Sequence, residues 1–338
     1  MKVTNLQKSQ CRIGDDIKAE ALRLGFDAVG FAHAAPVSHE AAKAFTQWIA
    51  EGKHDCMQWA TNYTDLRLDP TRLVEGAQTV ISLAVNYLPQ QIQEADAPQV
   101  ARYAYGTDYH EVVRDMARHL AAYIKERTGH ESRVCVDSAP ILERYWAQQA
   151  GLGFIGLNTL LIIPQRGSFF FLCELVTTLP LTPDAPCTLT CGDCHACERR
   201  CPGGALSGGV LDAARCLSCQ TIENRSEQLP EWVNEKIGNH LYGCDECQIA
   251  CPHNRHATPT AHPEFQAREG VLHLTTQQVL SMTQEQFSAT FRHSPIKRAK
   301  LAGLRRNAHL LKSEIISENV DKLKLSTSKS IDNFRKRE

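Results

Sequence analysis

The apolar positions of this chain change period several times, and the order of the changes reads as helix alternating with strand. DDIKAEALRLG places apolar residues at helical spacing and stops at Gly25, after which FDAVGFAHA alternates into a strand. Ser38 is placed to cap a second helix through AAKAFTQWIAEG. Beyond the turn-rich RLDPTRLVEGA, the unbroken apolar run TVISLAVNYLP predicts a strand buried on both faces. The polar stretch from Pro89 to Pro98 predicts a loop. Asp108 or Thr107 can cap the helix HEVVRDMARHLAAYIKER, SRVCVD predicts another buried strand, and Pro140 opens a helix ending near Gly151. NTLLIIPQRGSFFFLCEL predicts a hairpin turning at PQRG. These elements make an α/β architecture.

Composition adds compartment and chemistry. A chain of 338 residues with 43% apolar content can bury a sizeable core and form more than one domain. It has no run of eighteen apolar residues, and the polar start MKVTNLQKSQCRIGDD has no signal-like apolar stretch, so the expected location is the cytoplasm, with no membrane partner. In that reducing compartment fourteen cysteines do not read as a disulfide framework, and nine of them fall between Cys191 and Cys251. That crowding points to bound metal. A formal charge of −1 gives no global sign of a nucleic-acid partner.

In CGDCHACERRCPGGAL, Cys191, Cys194, Cys197 and Cys201 are spaced two, two and three apart and closed by Pro202, the run found in bacterial ferredoxins. Three close thiolates hold three corners of a cubane and the fourth faces a neighbouring cluster, so a second cluster is implied. GCDECQIACP supplies Cys244, Cys247 and Cys251 but lacks a leading cysteine, for which Cys216 and Cys219 in ARCLSCQTIEN are the candidates. Exchange of the fourth ligands assigns Cys191, Cys194, Cys197 and Cys251 to one [4Fe–4S] cluster, and Cys201, Cys244, Cys247 and either Cys216 or Cys219 to the other. Structural zinc is the competing use of such pairs, but it takes four ligands and does not suit a four-cysteine run ending in Cys-Pro.

Upstream, two motifs are decoys. GLGFIG at residues 151–156 matches G-x-G-x-x-G but leaves a helix instead of a strand, which argues against a dinucleotide site. DYHEVV resembles the D-x-H-x-x-G by which some proteins offer histidine to cobalamin, yet Val113 stands at the glycine position. Asp137, at a strand end before Ser138-Ala139-Pro140, reads either as an N-cap or as a site carboxylate. Arg67 and Arg102 read locally as surface or ion-pairing residues.

RYAYGTDYH, VDSAPILERYWAQQAGLGFIG, SFFFLCELV, the cysteine run, ARCLSCQTIE and KIGNHLYGCDECQIACP occur in one order that resembles the epoxyqueuosine reductases, over about residues 5–310. The resemblance implies a nitroreductase-like α/β cobalamin-binding domain over residues 1–182, a ferredoxin-like double-cluster domain over 183–258 and a short helical, basic C-terminal region over 259–338. It implies base-off cobalamin, two [4Fe–4S] clusters, an external low-potential electron donor and a monomer that reduces epoxyqueuosine in tRNA. It gives Asp137 the role of proton donor, Arg67 that of a cobalamin contact, and places Asn158, Leu161, Leu172 and Ser218 in segments lining the corrinoid. The family's single middle cysteine matches Cys216, which makes Cys219 an extra thiol. Two departures stand out: Leu157 occupies the usual lysine position before Asn158, and the chain ends soon after RRNAHLLK in the polar STSKSIDNFRKRE, without the helical-repeat tail of some members. A reductive dehalogenase-like corrinoid enzyme and a plain electron carrier are the alternatives.

The stretch from Arg292 to Lys312 adds local support for a tRNA partner. It holds Arg292, Lys297, Arg298, Lys300, Arg305, Arg306 and Lys312 with no acidic residue, a pattern suited to phosphate contacts or to a solvated helix face.

Overall fold

The structure is a computed structural model that describes residues 5–311. Its N-terminal half is built on a four-stranded antiparallel sheet ordered β1 (Ala28–His33), β2 (Thr79–Asn86), β7 (Phe170–Thr177), β4 (Ser132–Cys135). All eight residues of β2 are buried, as its unbroken apolar run requires of a strand with neighbours on both sides and helices above and below. The alternation of side chains divides β2 and β7 between two layers. Ile81, Leu83, Val85, Cys173 and Leu175 pack under the helices Asn5–Arg23 and Tyr109–Thr128, while Val80, Ala84 and Val176 pack against Trp146 and Ala147 of the helix Glu143–Gln149.

The predicted caps are in place at two helices. Ser38 Oγ accepts from the Ala41 N–H at 3.2 Å, and Asp108, not Thr107, caps Tyr109–Thr128 by accepting the His110 N–H at 3.0 Å. Three local expectations change. β4 is an edge strand, so of its residues only Cys135 is buried. The helix expected to open at Pro140 starts at Glu143 with Leu142 as its N-cap, because the chain bends through residues 137–141 first. The PQRG turn forms, with positive φ at Gln165 and Gly167, but its arms pair only at the single bridge Ile163↔Gly167. β7 leaves the turn to lie between β2 and β4, and β6 (Leu161–Ile162) pairs back with β5 (Phe154–Ile155), because a fully buried strand such as β2 needs two partners.

The cluster-bearing and C-terminal segments share a second core. It takes Val100, Ala104 and Tyr105 from the N-terminal half of the chain and packs them with Leu217, Leu241, Tyr242, Phe291 and Leu304. The contribution is fixed by backbone pairing, since β3 (Gln99–Val100) runs parallel to the short strand His240–Tyr242. The cysteine region is therefore joined to the N-terminal half by both strand pairing and side-chain packing.

Candidate active site and cysteine cavities

The nine cysteines of the cluster segment sort into two sets and one outlier. Cys191, Cys194, Cys197 and Cys251 line one small pocket. Cys201, Cys216, Cys244 and Cys247 line a wider cavity with about 1360 Å³ of open space. Cys219 borders neither. Gly203 allows this closeness: a Cβ there would stand 2.0 Å from the Arg215 carbonyl oxygen, so any other residue would push the Cys201 run away from Cys216. Backbone N–H groups already point at two sulfurs, Leu157 at Cys191 Sγ (3.4 Å) and Ala205 at Cys201 Sγ (3.2 Å). Such donors stabilise a thiolate and tune a cluster it holds. Burial first, then the nearness of Cys216, Asp245, Cys201 and Cys197, pushes the Cys247 thiol up. Four crowded thiols cannot all ionise unaided, so this donor set fits a metal cluster whose positive charge removes the protons.

The larger cavity is also lined by the carboxylates Asp137 and Glu143, and His110 is hydrogen-bonded to Asp137 from outside that lining. Asp137 follows β4 with a φ of +49° and, with half of its side-chain surface exposed, opens onto the cavity. Its N–H donates to Glu143 Oε1 at 2.5 Å and its Oδ2 lies 2.9 Å from His110 Nε2. Since Glu143 begins the next helix and Leu142 caps it, Asp137 is not an N-cap. His110 is held at both ring nitrogens, its Nδ1 lying 2.8 Å from Asp108 Oδ1. Tyr109 stacks on Phe171 with ring centroids 4.3 Å apart and fixes the start of this helix against β7.

The electrostatics put the protons elsewhere than on Asp137. Burial tends to raise the Asp137 carboxyl, but the hydrogen bond and charge of His110, helped by the Tyr109 hydroxyl, outweigh it and hold the group below the ordinary carboxylate range. Burial works against the charged form of His110 too, yet hydrogen bonds to Asp108 and Asp137 lift the imidazole to about 9. The raised carboxyl is Glu143, which burial and then the Asp137 charge push up to about 8. Beneath them Glu174, fully buried in β7 and bonded to Ser82 Oγ at 2.9 Å, is pushed far up by burial and then by Glu143, so it adds no negative charge.

The remaining expected cofactor contacts divide. Asn158, Leu172 and Ser218 line the cavity, whereas Leu161 does not: it pairs with Ile155 in the β5–β6 ribbon and turns into the core, leaving neighbouring Leu160 on the cavity wall. Asn158 Nδ2 is buried without a hydrogen-bond partner. A buried amide in that state costs on the order of 1–3 kcal/mol unless a ligand satisfies it, which suits an amide-rimmed macrocycle against the apolar wall. Arg67 is 7% exposed and does not border the cavity. It donates to the carbonyls of Asn62 (3.1 Å) and Trp59 (3.2 Å), so it is not a surface residue. Arg102 has no carboxylate ion pair among the described residues, and its guanidinium lies over the Phe169 ring.

Comparison with known proteins gives these groupings a family. The family model described as "Epoxyqueuosine reductase QueG, DUF1730" matches residues 67–138, and that of the "4Fe-4S double cluster binding domain" matches residues 190–254. The epoxyqueuosine reductase of Leadbetterella byssophila is 40% identical over 298 residues, covering 88% of this chain and 97% of the relative. The chain belongs to the epoxyqueuosine reductase family. The structure of epoxyqueuosine reductase from Streptococcus thermophilus superposes with a TM-score of 0.81 at 31% identity, covering 88% of this chain and 80% of that one. A crystal structure of epoxyqueuosine reductase with an epoxyqueuosine-modified tRNA-Tyr stem loop gives 0.80 at 28% identity with the same coverages.

For an epoxyqueuosine reductase, the basic stretch after residue 291 is less available than its charge suggests. Arg298 pairs with Glu223 through two bonds of 3.0 and 2.8 Å, and Arg305 donates to the Met282 carbonyl. Arg306 donates to the carbonyls of Asn224 (2.8 Å), Ser226 (2.7 Å) and Gln220 (3.3 Å). These arginines close loop ends, a use that sequence cannot distinguish from phosphate binding. Arg292, Lys297 and Lys300 remain exposed, and Lys312 lies outside the described residues. Arg306→Ala should therefore lower thermal stability, because it strips donors from three carbonyls at about 1–3 kcal/mol for each one left buried and unpaired. Lys297→Gln with Lys300→Gln should leave stability alone and flatten the salt dependence of tRNA binding by roughly 0.7 to 0.9 in log–log slope per lost contact. Melting curves and filter binding at several salt concentrations check the pair. Among the described residues no helix is long and apolar enough to cross a membrane.

Proposed function

We propose that this chain reduces the epoxide of epoxyqueuosine in tRNA to the alkene of queuosine, with electrons from an external low-potential donor passed through two [4Fe–4S] clusters to a corrinoid in the larger cavity. The observation that carries the reading is that one cavity is lined both by four cysteines and by Asp137, Glu143 and Arg144. An electron source and a proton source thus face the same space. Cys191, Cys194, Cys197 and Cys251 would hold one cluster and Cys201, Cys216, Cys244 and Cys247 the other. Asn158, Leu160, Leu172 and Ser218 would border the corrinoid, which when bound supplies a strongly reducing metal centre.

The reaction consumes two electrons and two protons, because the oxygen leaves as water. The side chains hold protons suited to that count. Near neutral pH, His110 and Glu143 are both protonated, and Asp137 stands between them with its carboxylate open to the cavity. As negative charge grows on the leaving oxygen, the His110 proton moves onto Asp137 and Asp137 delivers it, while Glu143 supplies the second. Arg144, anchored to the Thr159 carbonyl at 2.7 Å, steadies the charge that appears on the carboxylates. The apolar surfaces of Leu160, Leu172 and Tyr109 in the cavity lining lower the local dielectric and strengthen each of these interactions. A nucleotide reaching this site must be splayed out of its loop, as bases that undergo chemistry are.

The direct test is anaerobic incubation of the reconstituted enzyme with epoxyqueuosine-containing tRNA, followed by nucleoside analysis. Queuosine formation that depends on cobalamin and reductant supports the reading; none in their presence overturns it. The pH profile tests the proton assignment. A carboxyl raised to about 8 keeps its proton below that value and loses it above, so turnover should fall as pH rises past about 8. Glu143→Gln should lower turnover and remove that limb, and an unchanged limb in the variant would exclude Glu143 as its source.

A further inference from the structure

Cys56 and Cys219 stand outside both cysteine sets, and each is the other's nearest thiol. Their Sγ atoms are 3.0 Å apart across 163 positions of sequence. Cys219 lies in the helix Leu217–Ile222, three residues after Cys216, and is buried; Cys56 lies in the turn before the 3-10 helix Gln58–Thr61 and is half-buried. The two segments are tied together by Ala213 N–H to the Lys53 carbonyl (2.8 Å), Trp48 Nε1 to the Leu211 carbonyl (2.6 Å) and Gln220 Nε2 to Asp55 Oδ2 (2.9 Å). The sulfurs are thus held in register by six residues of unrelated role.

With Asp55 the pair forms a trio whose ligand atoms lie within 4.8 Å of one another, so a metal site has to be weighed. Two thiolates on one zinc, with bonds of about 2.3 Å at tetrahedral angles, keep their sulfurs roughly 3.8 Å apart. Here they are 3.0 Å apart, the Asp55 carboxylate is already engaged by Gln220, and a fourth protein ligand is lacking among the described residues. A disulfide needs only a further closure to about 2.05 Å.

We propose that Cys56 and Cys219 form a redox-active dithiol that closes into a disulfide between the N-terminal turn and the helix following Cys216. The reaction with a low-molecular-weight disulfide is balanced by thiol–disulfide exchange. The Cys56 thiolate, the more accessible, attacks RSSR, forming a mixed disulfide and expelling RS⁻. The Cys219 thiolate then attacks the Cys56 sulfur, forming the protein disulfide and expelling a second RS⁻. Two electrons pass from the dithiol to the small disulfide, and its two thiolates take up the two protons. The bond cross-links the helix that follows Cys216 to the N-terminal turn, so the segment that carries Cys216 on the lining of the larger cavity is held in place. The inference rests on the cluster reading above, in which Cys216 and not Cys219 is the ligand.

The experiment uses anaerobic holoenzyme carrying both clusters, incubated with oxidised glutathione, alkylated and digested without reduction. The expected result is a peptide pair joined through Cys56 and Cys219, lighter than its parts by two hydrogens, with iron still at about eight per chain. Iron release to a chelator should slow several-fold, recover on addition of dithiothreitol and stay unaffected by oxidation in Cys56→Ser. Equal alkylation of both thiols before and after oxidation, or a lasting glutathione adduct on Cys56, overturns the dithiol. Stoichiometric zinc lost in Cys56→Ser overturns it in favour of a metal site. Cys219→Ser separates the two readings: about eight irons leaves the cluster assignment standing whatever the dithiol does, whereas about four means that the cluster assignment itself has failed.

Discussion

Asp137→Asn is expected to lower turnover by about 10²- to 10⁴-fold, the range typical of a lost general acid, with cobalamin, both clusters and tRNA affinity retained. The variant is close to a pure removal of the proton. Asparagine has the shape of aspartate and accepts the left-handed backbone found at this position, a φ of +49°. It can still meet His110 Nε2, but it cannot carry a proton from the imidazole to the leaving oxygen. It also removes the charge that helps lift His110 and Glu143, so the pH profile should shift down as the rate falls. Near-normal turnover would make Asp137 a structural partner of His110, and loss of cobalamin from a folded variant would make it a cofactor-holding residue with the acid still to be found.

Cys216→Ser is expected to abolish turnover and to halve the iron, from about eight to about four per chain. Cys216 lies on the wall of the larger cavity with Cys201, Cys244 and Cys247, and a serine oxygen is a poor substitute for a soft thiolate ligand of iron. Since the cavity would then hold no competent donor, the protons held at its lining would have nothing to answer. Retention of eight irons in this variant would transfer the ligand role to Cys219 and dissolve the proposed dithiol with it.

The legibility of these features in the sequence follows their range along the chain. The cysteine spacing is local, and its termination at Pro202 and Pro252 already separates Cys251 from the run it follows. β2 is legible because eight consecutive buried residues need no partner to be recognised. Asp137 stands out at a strand end, but the group that determines its charge does not: His110 is 27 residues away, and DYH reads in isolation as a helix start. Glu143 sits inside a helix pattern where a carboxylate passes for surface, and only the backbone bend at Asp137 turns it inward. Leu161 and Leu160 exchange places because a one-residue change of register in a two-residue strand reverses the face. The arginines at 298, 305 and 306 show the same limit, since their carbonyl and carboxylate partners are 23 to 86 residues distant.

The pairing of Gln99–Val100 with His240–Tyr242 has a consequence for how the chain is made. By the difference in their numbers, 141 residues separate Gln99 from His240. During synthesis the first strand, with Val100, Ala104 and Tyr105 beside it, leaves the ribosome long before the surface it packs on exists. The sheet cannot shelter those residues, since they belong to the other core, so the nascent half waits with an apolar edge uncovered. Iron delivery is drawn into the same schedule. Clusters built on the later segment before that edge docks would sit in an open pocket, so maturation should favour assembly after, not during, the arrival of the last cysteine run.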